Sequence, residues 1–232
     1  MPFFPFMWFN VSFIAFMLPA LVFSIVCSSM VKRAYRQQSQ VRNARGLTGY
    51  QAAQRVLQHY GITDVRIEMG HGKLSDHYDP RHKVIRLSES VFNNASVAAV
   101  GIAAHEAGHA AQHAQVYIPI KVRNSLLPVL NIGSQLAIPL VLFGYFIDIS
   151  GLITLGLGLF SLTALFQLIT LPVEFNASRR AMQVIEAEDL LGRDEMGGAR
   201  KVLRAAAMTY VAALISTLLN LLWLVLRFNR RR

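Results

Sequence analysis

The chain has 232 residues, of which 53% are hydrophobic and only 16% charged, and its mean hydropathy is +0.38. That balance excludes an ordinary water-soluble domain and fits an integral membrane protein. The formal net charge of +10 does not point to nucleic acid, because the cations cluster beside apolar stretches. Lys32, Arg33, Arg36, Arg42 and Arg45 follow the first such stretch, and Arg227 and Arg230 to Arg232 follow the last. The aromatic-basic interleaving of a nucleic-acid surface does not appear, since only Tyr35 and Phe228 stand among them. Basic clusters in those places mark cytoplasmic flanks and contacts with anionic lipid, so the expected partner is the bilayer.

In chain order, Phe3 to Cys27 is nearly unbroken and uncharged. It lacks the basic start and small-residue cleavage site of a signal peptide, and is expected to be a retained anchor. Cys27 is the only cysteine, so no internal disulfide can form. Tyr50 to Tyr60 has helical periodicity, with Ala53, Val56 and Leu57 on one side and Gly61 at its end. Asp64 to Glu68 alternates like a strand, and His71 to Pro80 is turn-rich. Lys83 to Leu87 alternates again and is expected to be an edge strand that an extended peptide could join. Ser88 and Ser96 are candidate helix N-caps. Leu126 to Ile147, Leu152 to Val173 and Ala205 to Leu226 complete a set of four apolar segments. Each is about 20 residues or longer, enough to cross a hydrocarbon core. Pro128, Asn131, Gln135 and Pro139 interrupt the second, which is expected to kink or line the interior.

The expected fold is therefore a mainly α-helical integral membrane protein, with about four transmembrane helices and a small lobe containing a short β element. Residues 1–30 form an N-terminal anchor and 31–232 a membrane-embedded domain. The latter comprises a lobe at 31–123, a transmembrane hairpin at 126–173, a helical segment at 174–204 and a last span at 205–226.

The chemistry lies in His105-Glu106-Ala107-Gly108-His109, an H-E-x-x-H motif on a stretch that reads as helix. His105 and His109 project from one face, about 6 Å apart along the axis. They can take two corners of a zinc tetrahedron, with Glu106 placed to act on a water in a third. The motif interrupts the apolar run Val97 to Ala104, where ionisable groups are costly to bury without a partner, and a metal is the natural one. The second and third spans form a hairpin around the short Asp148-Ile149-Ser150-Gly151 break, so the chain after Val173 returns to the side of His105 and His109. Glu174 is the first ligand-type residue there. It either pairs with Arg179 or Arg180 or completes a two-His, one-Glu set, and a carboxylate at the mouth of a span favours the latter. His113 continues the every-fourth-residue pattern, but about 12 Å separates it from His105 by helix rise, too far to share one ion. It is expected to line the site. Gln112 and Gln115 stand where a metzincin needs Gly and His. His71, His77 and His82 could reach the site, whereas Asp76 and Asp79 are expected to cap turns.

Several runs together resemble the YugP-type bacterial membrane zinc metallopeptidases. They are His77-Tyr78-Asp79-Pro80, Leu87-Ser88-Glu89, Ala103 to His109, Leu171 to Ala181 and Ala205 to Ala212. The resemblance extends from about Gly49 to Leu222. More distantly the plan is similar to the HtpX-type and CAAX prenyl proteases, which are gluzincins. The resemblance implies one zinc ion per chain held by His105, His109 and Glu174, with Glu106 as the catalytic glutamate. It also implies a multi-pass location in a bacterial inner membrane, a lobe facing the cytoplasm, and a peptide or protein substrate. The distant relatives place Asp four residues after the ligand Glu, where this chain has Ser178, so Ser178, Asn176 or a backbone carbonyl must orient the ligand histidine. Tyr210, His77 and Arg180 are candidates to stabilise the transition state. Two rivals are an intramembrane site-two-type protease, which would need a ligand Asp from a later span, and a zinc-binding scaffold without hydrolytic activity. One tension concerns the fourth segment: a single crossing leaves Arg227 to Arg232 opposite the lobe, against the positive-inside tendency, so that segment is re-entrant or packed differently, or this end overrides the rule.

Overall fold

The structure is a computed structural model that describes residues 11–72 and 75–229. The start of the anchor up to Asn10, the turn residues Lys73 and Leu74, and Arg230 to Arg232 lie outside the described residues. The chain divides into two compact units. One contains residues up to Ser28, Val122–Leu171 and the chain from Thr209, and the other contains Ser29–Lys121 and Pro172–Met208.

The first unit is helical and apolar. It takes parts of α1 (Val11–Ser39), α5 (Ile118–Phe146), α6 (Ser150–Ala187) and α7 (Met196–Asn229). Stretches of α1, α6 and α7 are each long and apolar enough to cross a membrane. The two parts of α5, Ile118–Leu130 and Ile132–Phe146, meet at 46° and make a fourth crossing if they form one span. Pro128 and Pro139 each remove a ladder donor within this helix, matching the interruption expected from sequence. By contrast α7 is one continuous helix, which gives the re-entrant alternative for the last segment no support. Large apolar side chains such as Leu21, Phe143, Phe146 and Leu168 face outward, as lipid-facing positions do. Inside, Trp223, Leu224, Phe228 and Val141 form a buried cluster, with Phe13 edge-on to Trp223 at 4.9 Å.

The second unit holds the lobe. Its α2 (Gly49–His59) begins with a reciprocal cap that holds two otherwise orphaned donors: Thr48 Oγ1 accepts from Gln51 N, and Gln51 Oε1 accepts from Thr48 N. Its buried face, Ala52, Ala53, Val56 and Leu57, packs on α4 (Val97–Ala114). The strands β1 (Arg66–Gly70), β2 (His77–Asp79) and β3 (Val84–Ser88) form a sheet in the order β1-β3-β2, parallel between β1 and β3 and antiparallel between β2 and β3. The expected edge strand is thus the central one. Val84 and Ile85 are consecutive and both fully buried, so β3 presents apolar groups to both faces, as a central strand does. The edges belong instead to β1 and to β2, a three-residue strand hidden within the turn-rich stretch.

Ser96 caps α4 by accepting from Ala99 N, as expected. Ser88 precedes the short α3 (Glu89–Phe92) without a side-chain cap bond to it. Its backbone N–H and hydroxyl both bond Asp76, which ties the end of β3 to the turn before β2. Asp79 caps the following turn through the N–H groups of Arg81 and His82. The small residues of α4 let neighbouring backbones come close on several sides: a Cβ on Gly108 would lie 2.8 Å from the carbonyl oxygen of Ala177 on α6. At 18 residues and largely buried within this unit, α4 is not among the helices suited to cross a membrane.

Candidate metal centre

Helical spacing on α4 stacks His105 and His109 with their rings edge-to-face, centroids 4.7 Å apart. Across from them α6 supplies Glu174, whose Oε2 is 3.3 Å from Nε2 of His105 and 3.6 Å from Nε2 of His109. The ligand-type atoms of all three residues lie within 4.8 Å of one another. Four donors around zinc, each about 2.0–2.2 Å from it, sit about 3.4 Å apart at tetrahedral angles. Two nitrogens and one carboxylate oxygen at the observed separations fit that requirement. His109, Glu174 and Glu106 are buried, and His105 is partly so.

The remaining imidazole nitrogens fix the tautomers. Nδ1 of His109 lies 3.0 Å from Oε1 of Gln112. The Gln112 amide nitrogen donates to the carbonyl of Val173 at 2.8 Å and to Oδ1 of Asn176 at 2.9 Å. Both of those partners only accept, so Gln112 must turn its oxygen toward His109, and Nδ1 of His109 carries the proton. Nε2 is left as the ring nitrogen that faces Glu174. On His105, Nδ1 lies 3.1 Å from the hydroxyl of Ser178, which can play the same part. Of the three stand-ins for the missing Asp, Ser178 is the one at His105. Asn176 contributes one step removed, through Gln112.

In the sequence alone, Gln112 stands out only as a mismatch to another metallopeptidase pattern. One signal was available: it lies three residues beyond His109 and so on the same helix face. Its partners on α6 could not be read that way.

Burial opposes charge on His109. The hydrogen bond with Glu174 and the nearby Glu106 and Glu174 charges outweigh it and hold the imidazole pKa above its usual value. Glu106 follows His105 directly, and among the described residues no hydrogen bond or ion pair engages its carboxylate.

The other candidates are dispersed. Arg180 donates to Asn176 Oδ1 at 2.8 Å and to Gln115, and lies near the rings of Tyr60 and Tyr117. That pattern braces α6 against the end of α4. His113 contacts the ring of Tyr78 on β2, with centroids 5.5 Å apart. The exposed His77 bonds the carbonyl of Ser75, and His82 pairs with Asp79, so neither joins the metal-ligand group. Tyr210 lies on α7 in the other unit.

A family model described as "Putative neutral zinc metallopeptidase" matches residues 13–229. The chain is also 44% identical over 220 residues to the "Putative membrane protease YugP" of Bacillus subtilis (strain 168), covering 95% of this chain and 98% of that protein. No solved structure matches the chain.

Proposed function

The chain belongs to the neutral zinc metallopeptidase family, and on that premise we propose that it is a membrane-bound zinc endopeptidase of the gluzincin type. The observation that carries this reading is the convergence of His105, His109 and Glu174 beside a buried Glu106. When bound there, zinc would acidify a water and polarise a substrate carbonyl. Glu106 accepts the proton of the attacking water and delivers it to the leaving amine as the peptide bond breaks. Gln112 and Ser178 hold the two imidazoles with Nε2 toward the centre. The open edge of β2, which lies against α4, offers backbone groups to an extended substrate in place of the sequence-expected β3. Among the described residues three ligand-type groups converge and the lobe holds no cysteine, which supports the open form of a hydrolytic centre over the closed form of a structural one.

Membrane topology follows from the same site. His105 and Glu174 lie on one side, and α6 crosses between them. That reading needs one further crossing, which α5 supplies if its two parts form one span. The basic flank after α1 supports a lobe on the cytoplasmic side.

The test compares the intact protein with Glu106→Gln. The parent should bind one zinc per chain and cleave an unfolded casein-like protein. The variant should keep its zinc and lose cleavage by about 100-fold or more. A parent that binds zinc but cleaves nothing would make the protein a zinc scaffold, and undiminished cleavage by the variant would remove Glu106 from its role.

A further inference from the structure

A second concavity, about 470 Å³ in volume, is lined by cations that the metal centre does not use. Arg33 of α1 faces it together with Lys201 and Arg204 of α7, and Met30 and Met208 provide apolar wall. The spacing is helical on both sides. Residues 30, 33 and 34 fall on one face of α1, and 201, 204, 205 and 208 on one face of α7. Behind them Ala34 and Ala205 are buried in a small cluster with Val202 and Ala98, so the two faces are held together. Lys201 donates to Gln37 at 2.9 Å. Among the described residues, Arg33 and Arg204 have no carboxylate partner, and no acidic side chain lines the concavity.

Three cations around one hollow repel each other, and an anion relieves that cost. Guanidinium groups match phosphate oxygens in paired hydrogen bonds. The position along each helix identifies the phosphate's source. On α1 the residues from Val11 to Val31 carry no charge, and on α7 those from Ala205 to Leu226 carry none. The cationic faces thus begin where each apolar span ends, at headgroup depth, with methionines beside them for the start of an acyl chain. We propose that this concavity seats the phosphate-bearing headgroup of an anionic membrane glycerolipid.

The experiment is native mass spectrometry of the full-length protein in detergent, with equimolar phosphatidylglycerol and phosphatidylcholine. The parent should retain phosphatidylglycerol in preference, by about tenfold. Arg33→Gln with Arg204→Gln should bring the two lipids near parity while zinc content stays at the parental level. Lys32→Gln with Arg36→Gln removes the same charge from another face of α1 and should leave most of the preference. Equal loss in both pairs would reduce the effect to diffuse surface charge and overturn the proposal, as would full preference in the first pair. Displacement of phosphatidylglycerol by millimolar inorganic phosphate would assign the site to the free anion instead. If the Gln pair loses zinc and so misfolds, Arg33→Lys with Arg204→Lys decides the matter. Retained charge without the forks should lower the preference several-fold, and an unchanged ratio would overturn the proposal.

Discussion

Gln112 holds His109 from behind, its Oε1 3.0 Å from Nδ1, and is itself held by Val173 and Asn176 of α6. One amide therefore connects a candidate metal ligand on α4 to the helix that carries another, Glu174. Gln112→Leu should keep the fold's volume but free the His109 ring and leave the Val173 carbonyl unpaired. Zinc affinity, read by competition with a chelator, should fall by about 10- to 100-fold. Ser178→Ala should act in the same direction through His105, and more weakly, since backbone or water can replace one hydroxyl. An unchanged affinity in Gln112→Leu would show that the ring needs no such hold.

Glu174→Gln keeps the shape of the side chain and removes its charge. Zinc bound after gel filtration should drop well below one per chain, and peptidase activity should fall with it. His105→Ala should do the same. Full zinc occupancy in Glu174→Gln would mean that the ion sits elsewhere.

Gly108 is the second x of the motif, and its place is set by packing rather than chemistry. A methyl group there meets the Ala177 carbonyl at 2.8 Å, so Gly108→Ala must push α4 and α6 apart. The expected cost is about 1–3 kcal/mol, seen as a lower melting temperature, with zinc affinity reduced because two ligands leave their partner. Gly101→Ala is the control, since its methyl would make ordinary contact with Ala199 at 3.5 Å.

The raised pKa of His109 gives opposite pH trends with and without metal. In zinc-free protein the folded imidazole holds its proton more tightly than the unfolded one, whose pKa is about 6.5. That contribution to stability is present in full below about pH 6.5 and is lost as pH rises through the folded value. Zinc requires the neutral ring, so its apparent affinity should rise over the same window. Chelator-stripped protein should melt higher at pH 6 than at pH 8, and zinc-loaded protein the reverse. Identical trends in the two forms would rule out His109 as the coupling group.

A reporter fused after Arg232 tests the four-crossing topology. It should be active on the side opposite the lobe, so an alkaline phosphatase fusion should be active and a cytoplasmic reporter silent. The opposite pattern would mean that one of the four helices does not cross.

The parts of this protein legible in its sequence are those governed by local spacing. The helical period placed His105 and His109 together, the apolar lengths marked the spans, and the hairpin between α5 and α6 pointed to Glu174 from 65 residues away. What escaped was set by partners distant in the chain. The pairing of β3 on both sides depends on β2, whose three residues are too few and too polar to signal a strand amid turn formers. Gln112 looked like a flaw in a different motif because its meaning lies in a carbonyl and an amide on α6. The α1–α7 concavity needs residues 30 to 34 and 201 to 208 side by side, a proximity no periodicity encodes.

The third candidate ligand is borne by α6, which runs without a break from Ser150 to Ala187. Most metal centres in lobes outside a bilayer can be cut free of their tether and studied in water. Here a cut at the membrane surface would sever the rod that carries Glu174, along with the Val173 carbonyl and Asn176 that steady Gln112. Any fragment designed for solubility would have to keep α6 from Pro172 onward as a separate, correctly docked piece.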